Sequence, residues 1–141
     1  MQTFFSREQD YALRITAFLA GTALSEKDCI SVSEISKKLY LSKAFSARIV
    51  HKLKQGRILS SKQGLYGGVY LGRDPKKLSF YEVLSAVGFD NRLNECLKGT
   101  EICNLKRNCN IHMYFRKREE ELVKSLKETM ISDFTYNIKT F

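Results

Sequence analysis

Apolar positions recur at helical spacing from the start of the chain: Leu13, Ile15, Phe18 and Leu19 fall within residues 7–24, a stretch with no charge after Arg14, which predicts a largely buried helix. Three segments open on a serine followed three residues later by Glu or Gln, the pattern in which side chains satisfy the exposed amides of a helix start. They are Ser6 with Gln9, Ser31 with Glu34, and Ser79 with Glu82. The second predicts a short helix ending near Tyr40, and Ser42 then caps a third that runs to Gln55 and stops at Gly56. In that third helix Phe45, Ile49 and Leu53 recur every four residues as an inner stripe, so Lys43, Ala44, Ala47, His51 and Lys54 face outward. Two helices joined by so short a turn make a helix-turn-helix.

Residues 57–61 and 69–71 alternate as strands about a glycine-rich reversal at 64–68, a hairpin that Asp74 and Pro75 terminate before a helix over 79–87. Residues 90–109 are polar and aperiodic. From 110 to 134 a charged helix carries Ile111, Phe115, Leu122, Leu126 and Thr129 at steps of three, four and seven, a face longer than a small domain covers and expected to pack on a second copy. The fold class is mainly α with a small β-hairpin. It comprises a winged helix-turn-helix over 1–88, a cysteine-rich loop over 89–109, a long dimerisation helix over 110–134 and a tail over 135–141.

A length of 141 residues suits one compact domain with a protruding element rather than a multi-domain enzyme. No nucleophile–base pair or phosphate loop suggests catalysis. No apolar run is long enough to cross a bilayer and no signal sequence opens the chain, so a cytoplasmic protein without a membrane partner is expected. The net charge of +9 is unevenly placed. Between Glu34 and Asp74 lie nine basic residues and no acidic one, and over the rest of the chain the two signs balance. A surface that neutralises phosphate has this footprint, which points to double-stranded DNA. A protein adaptor whose basic surface serves an acidic partner is a further reading, against which steep loss of duplex DNA binding with salt would argue.

On such a surface Lys43 and His51 are the candidates for major-groove base edges, and Ser42, Arg48, Lys52 and Lys54 for the phosphate backbone. Ala44 and Ala47 offer only methyl contact with thymine, and Lys62, Gln63 and Tyr66 of the wing suit the minor groove.

The four cysteines divide into Cys29, a small residue alone in a loop, and the series Cys96-x6-Cys103-x5-Cys109-x2-His112. Three thiolates and an imidazole within 17 residues suit an iron–sulfur cluster or zinc. Zinc sites usually use two tight ligand pairs, and only Cys109 with His112 is tight here. A switch by thiol oxidation, without any metal, is the other reading.

Taken with Asp10-Tyr11-Ala12-Leu13-Arg14 and Gly67-Gly68-Val69-Tyr70-Leu71-Gly72, this series resembles the iron–sulfur winged-helix transcription regulators of the IscR/NsrR/RirA family over nearly the whole chain. The resemblance implies a homodimeric regulator, expected to act as a repressor, with one cluster per subunit held before the dimerisation helix and sensing redox, nitric oxide or iron–sulfur status. It assigns Cys96, Cys103 and Cys109 as metal ligands. His112 matches the fourth ligand of a 2Fe-2S member, and Asp10 matches an aspartate that another member lends from the partner subunit to a 4Fe-4S cluster. His112, and with it 2Fe-2S, is favoured because it needs no second subunit. Six residues rather than five separate the first two cysteines, Gln63 replaces a common wing arginine, and Ala47 replaces a recognition-helix glutamate. A different operator sequence should follow.

Overall fold

The computed structural model describes residues 3–93 and 109–135. Helix α1 (Arg7–Thr22) is followed by α2 (Val32–Lys38), α3 (Lys43–Gln55), the strands β1 (Leu59–Lys62) and β2 (Gly68–Leu71), α4 (Phe80–Ala86) and α5 (Asn110–Glu128). All three expected serine caps form. Ser6, Ser31 and Ser79 accept from the amides of Gln9, Glu34 and Glu82, and at Ser6 and Ser79 the third-residue side chain accepts in return. Each such cap contributes about 1 kcal/mol to its helix.

One core holds these elements. Ile15 and Leu19 of α1, Ile35 of α2, Ile49 and Leu53 of α3, Leu71 of β2 and Leu78 before α4 are all fully buried. Burying each such side chain stabilises the fold by about 1.5–3 kcal/mol. Along α3 the inner edge is Ser46, Ile49, Val50 and Leu53, while Phe45, expected inside, is only half-buried because it lies on the flank that meets α1.

Two helix ends fall short of their expected positions for the same reason. α1 stops at Thr22 because the next carbonyl, that of Ala23, accepts the Leu71 amide at 2.8 Å, which requires the backbone to leave the helix. α5 stops at Glu128 because Thr129 and Ile131 pair in strand fashion with the segment before α4: Phe80 N–H donates to Thr129 O and Ile131 N–H to Leu78 O, both at 2.9 Å. Ile131 is thereby fully buried. At the foot of α3 the left-handed conformation belongs to Arg57 (φ 60°), not to Gly56. Gly56 instead permits close approach, since a Cβ there would lie 2.7 Å from the Cβ of Ala86 in α4.

The hairpin pairs Leu59 with Leu71 through Lys62 with Gly68 and is not an isolated ribbon. Ile30 bridges Val69 through reciprocal bonds of 2.9 and 2.8 Å, so a third extended segment pins the wing to the loop ahead of α2. A side chain on Gly68 would put its Cβ 2.4 Å from the Ile30 carbonyl oxygen. At the base of the wing, Arg73 donates to Glu82 at 2.9 Å, tying the exit of β2 to α4. That hydrogen bond holds the Glu82 carboxyl below the usual carboxylate range, ahead of a smaller opposing effect of burial.

Gly68→Ala is expected to cost about 2–3 kcal/mol by breaking the Ile30 bridge, measured by thermal or urea unfolding. A loss below a few tenths would show that the wing does not need this approach. Because the Glu82 pKa is depressed, the stability gained from Arg73 is complete above the ordinary carboxylate pKa and lost as pH falls through the lower folded value. The pair is half-exposed, so the effect is small. Arg73→Gln should accordingly lower the melting temperature by a degree or two at pH 7, within the rough scale of a surface pair, and the difference from wild type should shrink as the pH is lowered through the folded-state value.

Candidate nucleic-acid interface

The turn between α2 and α3 sets the angle at which α3 is presented. Tyr40 takes a left-handed φ of 56° there, and the Leu41 amide returns to Ser36 O at 2.9 Å. A non-glycine residue in that conformation costs about 1–2 kcal/mol, which the core contacts on either side offset. Ser42 then caps α3 by accepting from the Phe45 amide at 3.1 Å, leaving its hydroxyl hydrogen available to an outside acceptor.

The outer face of α3 is as the periodicity foretold. Lys43, Ala44, Ala47, His51 and Lys54 are all exposed and lie within about a quarter-turn of one another at 3.6 residues per turn. At the wing Lys62, Gln63 and Tyr66 are exposed, Tyr66 by 85%. Leu65, which sequence reasoning passed over, is 91% exposed beside Tyr66; its position at the tip of a glycine-bounded reversal was the signal that it would have no core to join. The wing's backbone is held from below by Cys29, whose thiol donates to Tyr66 O at 3.3 Å. Cys29 therefore does more than fill a loop.

Arg48 and Lys52 occupy a different flank from the other cations of α3. Both reach the carboxylate of Glu8 in the first turn of α1, Arg48 Nε at 3.5 Å and Lys52 Nζ at 2.5 Å. Beside them, Arg7 lies 4.7 Å over the Phe45 ring, Arg48 lies 5.4 Å over the same ring, and Tyr11 meets it edge-on. Sequence reasoning missed Glu8 and Arg7 because no local pattern connects α1 to α3. The only cue was the i, i+4 spacing that puts Glu8, Ala12 and Ile15 on the core side of α1.

Of the expected metal ligands, Cys109 stands at the N-cap position of α5 without a side-chain bond to the helix and is a half-buried thiol, and His112, three residues on, is buried in the first turn. Cys96 and Cys103 lie outside the described residues. Among the described residues no three His, Cys, Asp or Glu side chains stand together as a metal site. Asp10 is half-exposed on α1 and paired with Arg14 at 3.1 Å, so it would have to leave that partner to serve a second subunit. Along α5, Ile111, Met113 and Tyr114 are exposed by 67%, 61% and 57%, and only His112 and Leu126 are buried. Of the apolar series expected on this helix, Leu126 turns inward, Phe115 and Leu122 are half-buried and Ile111 points to solvent. No helix among the described residues is long and apolar enough to cross a membrane.

Comparison with known proteins supplies the context for this arrangement. The Rrf2 family, described as iron-dependent transcriptional regulators, is matched over residues 5–137. The transcriptional regulator IscR of Xenorhabdus nematophila is 26% identical over 123 residues, spanning 87% of this chain and 74% of the relative. NsrR of Oceanobacillus iheyensis is 26% identical over 130 residues, spanning 91% of this chain and 86% of the relative. Among solved structures, CymR, the global cysteine regulator of B. subtilis, superposes with a TM-score of 0.72 at 22% identity, covering 94% of this chain and 95% of that one. The IscR of T. potens gives 0.66 at 17% identity, covering 92% and 83%. The five helices and the two-stranded hairpin are thus the winged-helix fold of these regulators, and the protein is a member of the Rrf2 family of transcription regulators, not an enzyme.

Proposed function

We propose that the protein is a dimeric transcription regulator that reads duplex DNA with the outer face of α3 and the wing. The observation that supports this most is the coincidence, on one surface, of the acid-free stretch of sequence with the exposed faces of α3 and the hairpin. Lys43 and His51 meet base edges in the major groove, Ala44 and Ala47 leave room for thymine methyls, and Ser42, Arg48, Lys52 and Lys54 hold the backbone. Lys62, Gln63 and Tyr66 follow the minor groove, where Gln63 supplies an amide and no charge. The exposed apolar residues at the start of α5, Ile111, Met113 and Tyr114, pack on a second copy, which sets the spacing of the two reading helices.

Lys54→Ala, which removes a phosphate contact, and Lys62→Ala, which removes a charge from the minor groove, should each weaken binding to any duplex and lower the slope of log K against log salt by about 0.9. Lys43→Ala and His51→Ala should instead lower the preference for the best site selected from random DNA, by about 1–3 kcal/mol for each base no longer read. Salt-independent binding, or binding indifferent to all four, would remove α3 and the wing from the interface.

The sensing element is the cysteine series that ends at the start of α5. Its donor chemistry, soft thiolates with one imidazole, suits an iron–sulfur cluster better than a hard cation, and the family description is iron-dependent. Cys96, Cys103 and Cys109 would hold the cluster with His112 as fourth ligand; Asp10 of a second subunit is the alternative. Such a cluster, 2Fe-2S with His112 or 4Fe-4S with Asp10, supplies chemistry sensitive to redox state and nitric oxide. The chain's own part is positional: Cys109 and His112 stand on the first turn of the helix whose exposed residues face the second copy, so a change at these side chains acts on the relative placement of the two reading heads.

Anaerobically purified protein should be coloured, with iron and acid-labile sulfide in equal amounts, and Cys103→Ala should be colourless. His112→Ala should shift the visible spectrum while Asp10→Ala leaves it unchanged. An iron-free protein whose DNA binding ignores Cys103→Ala would sink the cluster. Zinc in its place, or a reversible disulfide controlling DNA binding, would establish the metal-structural or thiol-switch reading instead.

A further inference from the structure

The basic stretch of sequence contains no acid, yet the fold brings one to its centre. Glu8 comes from α1 and lies between Arg48 and Lys52, the two cations of α3 assigned to phosphate. The side chains differ in depth: Glu8 is 18% exposed, while Arg48 and Lys52 are 59% and 42% exposed. The carboxylate therefore sits behind two cations that can swing outward. Two features keep it in place when they do. It stands in the first turn of a helix, where the backbone amides favour negative charge, and its turn is held on α3 by the stack of Arg7 on Phe45 and the edge contact of Tyr11. Half-exposed ion pairs add little to folding, so this triad is not needed to hold α1 to α3, whose Ile15, Ile49 and Leu53 are fully buried.

We propose that Glu8 is a positioning residue: it competes with phosphate for Arg48 and Lys52, lowering affinity for arbitrary duplex while leaving base-reading contacts untouched. The inference rests on the assignment of α3 to DNA made above. On non-specific DNA nothing repays the breaking of the two ion pairs or the approach of phosphate to a retained carboxylate. At a matched site the contacts of Lys43 and His51 fix α3 in the groove, and the exchange becomes favourable. Glu8 thus holds down binding to arbitrary duplex without touching a base.

The test uses the full-length protein and a fluorescein-labelled duplex of mixed sequence, with binding followed by anisotropy across a salt series. Glu8→Gln keeps the size and hydrogen-bonding capacity of the side chain and removes its charge. It should tighten binding roughly fivefold, the scale of one or two exposed ion pairs, and steepen the slope of log K against log salt by about 1–2, each extra phosphate adding about 0.9. Glu128→Gln, which removes the same charge from the end of α5, should leave the slope unchanged. In an Arg48→Ala, Lys52→Ala background Glu8→Gln should have no effect, closing the cycle. If Glu8→Gln weakens binding, leaves the slope alone or matches Glu128→Gln, while Lys54→Ala still weakens binding, competition by Glu8 is overturned and the α3 assignment stands. If adding Arg48→Ala and Lys52→Ala to the Glu8→Gln protein does not weaken its binding, the phosphate role of these residues falls and competition by Glu8 falls with it.

Discussion

Helix α3 can present its outer face only because its inner edge is fixed. Ile49, Val50 and Leu53 sit in a core shared with α1, α2, the hairpin and the segments flanking α4, and a rotation of α3 by one residue would carry each of them about 100° toward solvent. The same register that buries them exposes Lys43, Ala47 and His51. Ser46, inside α3 and with no hydrogen-bond partner for its hydroxyl among the described residues, shows how far packing dictates this register, since an unpartnered buried hydroxyl costs about 1–3 kcal/mol. The left-handed turn at Tyr40 is a second cost met by the same core.

Charge is layered on that scaffold rather than spread evenly. The linear sequence concentrates the excess between Glu34 and Asp74, but three of those nine cations are met by carboxylates from other elements: Arg48 and Lys52 by Glu8, Arg73 by Glu82. Arg73 thereby fixes the base of the wing to α4 and has less to give a ligand. Lys43, Lys54 and Lys62 remain as exposed charges on α3 and the wing, so the footprint read from the sequence is narrower in space than its residue count suggests.

How much of this was legible depended on the range of the interaction. The serine caps, the helix-turn-helix, the hairpin and the outward face of α3 follow from spacings of two to four residues, which the sequence displays directly. What it concealed are contacts between distant segments. The early ends of α1 and α5 come from strand-like pairing with Leu71 and with Leu78 and Phe80, and Gly68 is needed because Ile30 crosses it. The half-burial of Phe45 and the capture of Arg48 and Lys52 come from α1. Cys29, read as a small loop residue, proved to hold the wing backbone at Tyr66. The cysteine series was legible as chemistry, and Cys109 and His112 occupy the first turn of α5 expected for them.

A shared core aims α3, the wing is pinned beside it, and α5 carries Cys109 and His112 at its start. Amide hydrogen exchange on the full-length protein, with and without duplex DNA, tests that division of labour most directly. The account predicts new protection over residues 42–55 and 59–71 and in the first turn of α1, with little change in the second half of α5. Protection that falls on α5 and spares α3 would contradict it.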